Sequence, residues 1–307
     1  QHPVGENDIS AVRAGLTGAA LLPPAVAQQF TQVTNCTLFE ILGMTEASGL
    51  ISIDPACGAG ASGSVGWALP YTQVEVLRPE EDGGLGAPCD VDEIGVIAIR
   101  GDHLSPGYRD PKHNKGVFTD GMLNSGDLGY KDAQGRLYIA GRSKDLIIRS
   151  GHNIDPAMIE NAMATHPAVA LAAAVGQPDA YAGELPMCFV QLHDGQSVSA
   201  DDLQAHAQNA INERPAWPKR IEVIDEIPLT TVGKIYKPGL RCLAAHSKIV
   251  QVVQDELGLG HATVDVTDGG ARGLRVTVTL DANDKGSVGV VEQALAAYVF
   301  EAQVKVA

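Results

Sequence analysis

Residues 141–153, Gly141-Arg142-Ser143-Lys144-Asp145-Leu-Ile-Ile-Arg149-Ser150-Gly151-His152-Asn153, divide two patterns of sequence. Three cations fall within eight positions here, in a chain of 22 basic and 37 acidic residues with a balance of −15. Local positive charge in an acidic chain suits an anionic ligand, and a solvated charged linker is the alternative. Upstream, residues read as short strands and turns: Gln73–Leu77, Ile94–Arg100, and Tyr130–Ile139 around a turn at Asp132–Gly135. One helix, Ala25–Val33, follows Pro23–Pro24, since proline suits a first helical turn. Downstream, helices alternate with strands: helix Ala157–Thr165, strands Val169–Val175 and Met187–Leu192, helix Ala200–Glu213 and strand Ile221–Ile224. That alternation predicts an α/β or α+β layer. The last sixty or so residues read as a helix (Leu240–Leu257), two strands (Thr263–Val266, Leu274–Leu280), a helix (Val288–Val299) and a strand (Ala302–Val306). Domains are therefore expected at 1–141, 142–245 and 246–307.

The 307 residues, 45% hydrophobic and 19% charged, have material for about two globular domains. An excess of acid argues against a nucleic-acid surface. The longest apolar run, Ala168–Val175, is far shorter than the roughly 20 residues of a membrane span. The sequence shows no basic-then-apolar leader, so no signal peptide is read in it, and with Gln1 as its first residue it is expected to be processed, tagged or cut from something longer. Five cysteines, Cys36, Cys57, Cys89, Cys188 and Cys242, lie 21 to 99 positions apart, which suits free thiols in a reducing cytoplasm. The nine scattered histidines show no zinc-like spacing.

Two motifs mislead. Gly58-Ala-Gly60-Ala-Ser-Gly63 matches the dinucleotide fingerprint, yet the residues after it, holding Pro70, alternate like a strand, so no helix opens there. Gly233-Lys234 is not the end of a phosphate-binding P-loop: Pro228 stands where its first glycine would, and Ile235 replaces the Ser/Thr.

Four segments carry chemistry. Leu42-Gly43-Met44-Thr45-Glu46 follows the strand-like Thr37–Ile41: its glycine admits a flat ligand, its threonine can bond a phosphate, and its carboxylate can hold Mg²⁺. In Ser125-Gly126-Asp127, an aspartate at a strand edge can accept both hydroxyls of a ribose, or simply make a turn. The third segment is the basic stretch above. In Pro228-Leu-Thr-Thr-Val-Gly233-Lys234-Ile235, a tight loop presents one long-reach cation suited to a developing oxyanion. Each has an ordinary explanation as a turn or an exposed charge.

Taken together, in this order and spacing, they resemble the AMP-forming adenylating enzymes: acyl-CoA synthetases, luciferases and peptide-synthetase adenylation domains. The likeness covers roughly residues 10 to 240 and includes Gly63-Ser-Val-Gly66, Glu93-Ile-Gly-Val and Gly107-Tyr108-Arg-Asp-Pro111. It implies a β-rich C-terminal remnant of a large AMP-binding domain, then a small mobile α+β domain, here with an α+β extension. It implies ATP/AMP, Mg²⁺ and coenzyme A, and a carboxylic acid activated through an acyl-adenylate. By the same resemblance, Gly18, Ala19 and Ala20 lie beside the acyl and adenine pockets, with Leu42, Gly43 and Met44 at the nucleotide. Thr45 touches the α-phosphate and Glu46 binds Mg²⁺; Asp127 and Arg142 hold the ribose. Lys144 is the pivot, Gly151 and His152 lie along the pantetheine path, and Lys234 offsets charge in adenylation.

The sequence also departs from the family. Leu42 stands where relatives often place an aromatic, and Lys237 where arginine is common. No Ser/Thr/Gly-rich loop ending in Pro-Lys is found. The chain is thus expected to be a C-terminal portion, partnered by the N-terminal part of the same enzyme, and alone to adenylate acids barely or not at all. Loading of a carrier protein and a non-catalytic interaction module stay open as alternatives, as does a homo-oligomer.

Overall fold

The computed structural model describes residues 9, 11–19, 22, 24–55, 61–80, 84–231, 233–269 and 273–307. The chain divides into two compact units, residues 1–144 and 145–307.

Among the described residues the first unit is a strand-rich sheet with one α-helix beside it. In chain order it holds β1 (Ala14–Thr17), α1 (Pro24–Thr34), β2 (Thr37–Met44), β3 (Gly49–Ile53), β4 (Ser64–Ala68), β5 (Gln73–Pro79), β6 (Leu85–Pro88), β7 (Gly95–Arg100), β8 (Phe118–Thr119), β9 (Met122–Lys131) and β10 (Leu137–Arg142). The strand order is β1-β2-β3-β4-β10-β9-β7-β5-β6, with β8 paired to β9. The alternation Gln73-Val74-Glu75-Val76 sends both valines into a core with Ile51, Val65, Ile97, Ile99, Leu123 and Leu137. β4 follows the glycine-rich stretch, as the rejection of the dinucleotide fingerprint requires; Gly58–Gly60 themselves lie outside the described residues. Gly66 in β4 has φ +75°, and a Cβ there would sit 2.0 Å from the Ile53 carbonyl oxygen. Only glycine fits.

The second unit holds β11 (Ile147–Arg149), β12 (His152–Ile154), α2 (Pro156–Ala164), β13 (Val169–Asp179), β14 (Gly183–Leu192), α3 (Ala200–Ala210), β15 (Arg220–Val223), α4 (Lys237–Val250), β16 (Thr263–Asp268), β17 (Leu274–Leu280), α5 (Val288–Leu295) and β18 (Glu301–Val306). Its larger sheet runs β12-β11-β14-β13, with β15 parallel to β14. Both faces of the central hairpin are buried, which explains the unbroken apolar run. Ala172, Ala174, Cys188 and Val190 face the core with α2 and α3, while Ala173, Val175, Met187 and Phe189 face Ile227 and α4.

Leu240 and Ala244 of α4 join that second core, and Ile249 near its end joins a third with Val253, Val276, Val278, Leu280, Val291 and Leu295. Position 245 thus falls inside an unbroken helix that serves two cores. The helix then continues as a π-helical turn, Gln251–Glu256. β16-β17-β18 form a separate sheet, antiparallel then parallel, with α5 as the crossover.

Candidate active site

The first cluster stands at the end of β2. Leu42–Met44, read as following the strand-like Thr37–Ile41, continue that strand, and Leu42 is 8% exposed within the core, so its side chain packs rather than presents a face. Gly43 lies so close to β3 that a Cβ would be 2.5 Å from the Gly49 carbonyl oxygen. Thr45, Glu46 and Ala47 then make a 3-10 turn ended by left-handed Ser48, φ 55°. The loop after β7 holds this turn: Ser105 N–H donates to the Glu46 carbonyl at 2.7 Å, and Ser48 Oγ donates to the His103 carbonyl at 2.7 Å. The Tyr108 hydroxyl donates to Glu46 Oε1, and that bond pushes the phenol's pKa up. Tyr108 is braced edge-on by Phe118 and His113. At the end of β1, Gly18 lies over Ile41 of β2, a virtual Cβ being 2.5 Å from Ile41 Cγ1, and Ala19 has φ 72°. Ala20 lies outside the described residues.

Asp127 and Arg142 form the second cluster, opposite one another across β9 and β10. Arg142 Nε donates to Asp127 Oδ1 at 3.0 Å; the carboxylate is 14% exposed and the guanidinium 65%. The aspartate backbone is pinned: its N–H donates to Ser125 Oγ at 3.1 Å, and that hydroxyl donates to the Ile97 carbonyl at 2.7 Å. Gly126, φ +72°, makes the bend, and Ser143 Oγ donates to its carbonyl at 3.1 Å. A fixed carboxylate beside an exposed cation can accept a vicinal diol and attract a phosphate. Lys144, exposed in a 3-10 turn, ends the first unit.

In the second unit, β11 and β12 form a hairpin where a basic linker was the alternative. Its two turn residues, Ser150 (φ 50°) and Gly151 (φ 79°), both have the positive φ that tight hairpin turns require. Ser150 N–H donates to the Ala182 carbonyl at 2.7 Å, and Arg149 Nη1 to the Pro215 carbonyl at 2.7 Å. His152 Nε2 lies 2.6 Å from Glu213 Oε1. Space for a Cβ at Gly151 is open, so a ligand can pass close to its backbone.

Lys234 closes a second tight turn. Leu229 bridges Ile235, Thr230 N–H donates to the Lys234 carbonyl at 2.6 Å, and Lys234 N–H donates to Thr230 Oγ1 at 3.1 Å. Gly233, φ +78°, makes the bend. The backbone is thereby fixed while the side chain is exposed, and among the described residues its ammonium has no partner. Three residues on, Lys237 pairs with Glu160 of α2 at 2.8 Å, and Glu160 also accepts the Ala174 N–H at 2.9 Å. Arg241, one turn further along α4, pairs with Asp145 at 2.5 Å. These ties, with Tyr108 and Glu213, were missed by motif reading because their partners are remote in sequence.

Among the described residues no three His, Cys, Asp or Glu side chains are grouped to hold a metal ion. Glu46 offers a single carboxylate, which fits Mg²⁺ carried on a nucleotide's phosphates rather than caged by protein.

Residues 2–109 match the AMP-binding enzyme family, and residues 158–234 match the AMP-binding enzyme C-terminal domain. The chain belongs to the AMP-binding enzyme family. The first match contains the Thr45–Glu46 turn and the second ends on Lys234, whereas Asp127 and Arg142 lie between the two. Among curated relatives, a marinolic acid–CoA ligase of Pseudoalteromonas sp. is 36% identical over 297 residues, covering 95% of this chain and 45% of that protein. A long-chain-fatty-acid–CoA ligase of Bacillus subtilis is 37% identical over 241 residues, covering 78% and 42%. The chain thus spans under half the length of these relatives. Since only about 5% of the chain falls outside the first alignment, that likeness extends into residues 246–307. Among solved structures, ATP-bound MatB from Rhodopseudomonas palustris superposes with TM-score 0.68 at 31% identity, covering 74% of this chain and 44% of that one. The anthranilate CoA ligase AuaEII in complex with anthranoyl-AMP gives TM-score 0.72 at 25% identity, covering 79% and 46%. Among the described residues no helix is long and apolar enough to cross a membrane.

Proposed function

We propose that the protein carrying this chain is an AMP-forming acid–CoA ligase. The observation that carries the reading is the Lys234 ammonium, exposed and without a partner among the described residues, on a turn whose own backbone is hydrogen-bonded. A carboxylate oxygen of the acid attacks the α-phosphorus of ATP, the bond to pyrophosphate breaks, and an acyl-adenylate forms. The CoA thiol, losing its proton, then attacks the acyl carbon and AMP leaves. In this reading Lys234 offsets the negative charge that builds on the phosphate and acid oxygens, an electrostatic role that needs no enzyme nucleophile. Asp127 accepts ribose hydroxyls and Arg142 orients it, Thr45 meets the α-phosphate, and Gly18, Gly43 and Met44 line the nucleotide. Mg²⁺, held by Glu46 on the phosphates, would neutralise charge on the leaving pyrophosphate. Lys144 would serve as the pivot, and the open Gly151 turn with His152 would admit pantetheine. The free thiols of Cys36, Cys89, Cys188 and Cys242 support a cytoplasmic setting.

Incubation of the protein with a panel of carboxylic acids, ATP, Mg²⁺ and CoA tests this. Acid-dependent AMP and acyl-CoA in equal amounts are expected. AMP with thioester formed only on a carrier protein would give the adenylation-domain alternative, and no acid-dependent AMP at all would remove the enzyme reading.

A further inference from the structure

The sheet β16-β17-β18 leaves β18 at an edge: it pairs with β17 and, among the described residues, with no strand on its other side. Unpaired edges of this kind are templates for another strand. Ala307 N–H donates to the Leu280 carbonyl of β17, so the odd-numbered residues of β18 turn their backbone groups toward β17. The even-numbered ones, 302, 304 and 306, therefore turn theirs outward, because successive residues alternate.

Side chains alternate too. Ala302, Val304 and Val306 share the face of the core, with Val304 packed against it and Val306 still 38% exposed. Phe300 just before them also touches that core. Glu301, Gln303 and Lys305 share the opposite, exposed face. Glu301 pairs across to Arg275 of β17 at 3.5 Å, whereas Lys305 has no ion pair among the described residues.

We propose that β18 pairs antiparallel with β18 of a second copy of this chain, about a two-fold axis at Gln303. Three features converge on that register. Residue 302 then lies opposite the partner's 304, and both direct their N–H and C=O groups outward, so they form a hydrogen-bonded pair. Glu301 lies opposite the partner's Lys305 and Lys305 opposite the partner's Glu301, two attractive pairs on the exposed face at a narrow, non-hydrogen-bonded position. On the other face, Val306 meets the partner's Phe300, covering its exposed surface. Shifting the axis to 302 or 304 breaks the Glu–Lys matches. The contact is isologous, so it closes at a dimer, whereas pairing β18 with β16 would be head-to-tail and open-ended.

Sedimentation velocity of the 307-residue chain over a concentration series tests the proposal. A reversible dimer is expected. Lys305→Glu should weaken it on the order of tenfold by facing two glutamates at each pair, and adding Glu301→Lys should restore it to within about threefold. Ala302→Pro, which removes an outward N–H while sparing those toward β17, should abolish it, with thermal unfolding checking that the chain stays folded. Monomer at every concentration, a dimer indifferent to Lys305→Glu, or growth beyond two copies would each overturn the pairing.

Discussion

At the scale of single residues, geometry gives Asp127 and Arg142 different duties. The aspartate is recessed and pinned through Ser125; the arginine is mostly solvated and held at one nitrogen. Arg142→Ala removes the contact to Asp127 and, in the proposed role, a charge-assisted contact to the nucleotide, so it should raise the KM for ATP about tenfold or more in steady-state kinetics. Asp155 supplies a prediction of a different kind. Its carboxylate caps α2 by accepting the Ala157 N–H at 2.9 Å, and burial pushes its pKa up to about 6, with Glu160 and Asp145 adding to the rise and Lys237 opposing it. A raised carboxylate pKa means that the folded chain holds this proton more tightly than the unfolded chain. Stability from this group is therefore lost as pH climbs from about 4 through 6, by about 3 kcal/mol in all. Asn caps as well as Asp. Asp155→Asn should flatten that slope and leave the chain at least as stable at pH 7, as chemical denaturation across pH would show; a steeper loss of stability at pH 7 would contradict the assignment.

Among elements, α4 connects the turn of Lys234 to the rest of its unit. Its first turn holds Lys237, tied to Glu160 on α2, and the two side chains are 17% and 20% exposed. Glu160→Ala would leave a half-buried ammonium and the Ala174 N–H without their acceptor, costing about 3 kcal/mol. A urea midpoint lowered accordingly at unchanged slope is the expected result, and Glu160→Gln should lose less. Most elements were legible in the sequence because burial follows a period: β5 alternates, β13 and β14 are apolar and buried through residues 172–175 and 186–190 since both faces are covered there, and α3 and α5 carry one apolar stripe. The β11–β12 hairpin was not, since Arg149 and His152 flanking Ser150-Gly151 read as charge rather than as a turn, although the Ser-Gly pair was the available signal. β2 was read too short because Gly43 reads as a stop; it continues because β3 lies close enough to exclude any Cβ there. Motif reading singled out Thr45, Glu46, Asp127, Arg142, His152 and Lys234, but not the ties of Tyr108 to Glu46 and of Glu213 to His152, which span 62 and 61 positions. Contacts at that separation leave no periodic trace.

For the molecule as a whole, two units meet in sequence at an exposed 3-10 turn, Ser143–Asp145. Limited trypsin should cut first at Arg142 or Lys144, releasing pieces that match the two units; a first cut within β13 or β14 would contradict this division. Under the proposed function the charges that serve adenylation come from both units, Arg142 before the boundary and Lys234 after it, so the second unit would have to deliver an amine to a nucleotide held by the first. Separate half-reactions of the protein carrying Lys234→Ala measure that requirement most directly. Acid-dependent pyrophosphate exchange should fall about 10²–10³-fold, the size of one lost preorganised donor, while thioester formation from supplied acyl-adenylate stays near the unsubstituted rate. Equal losses in both half-reactions, or none in either, would contradict it.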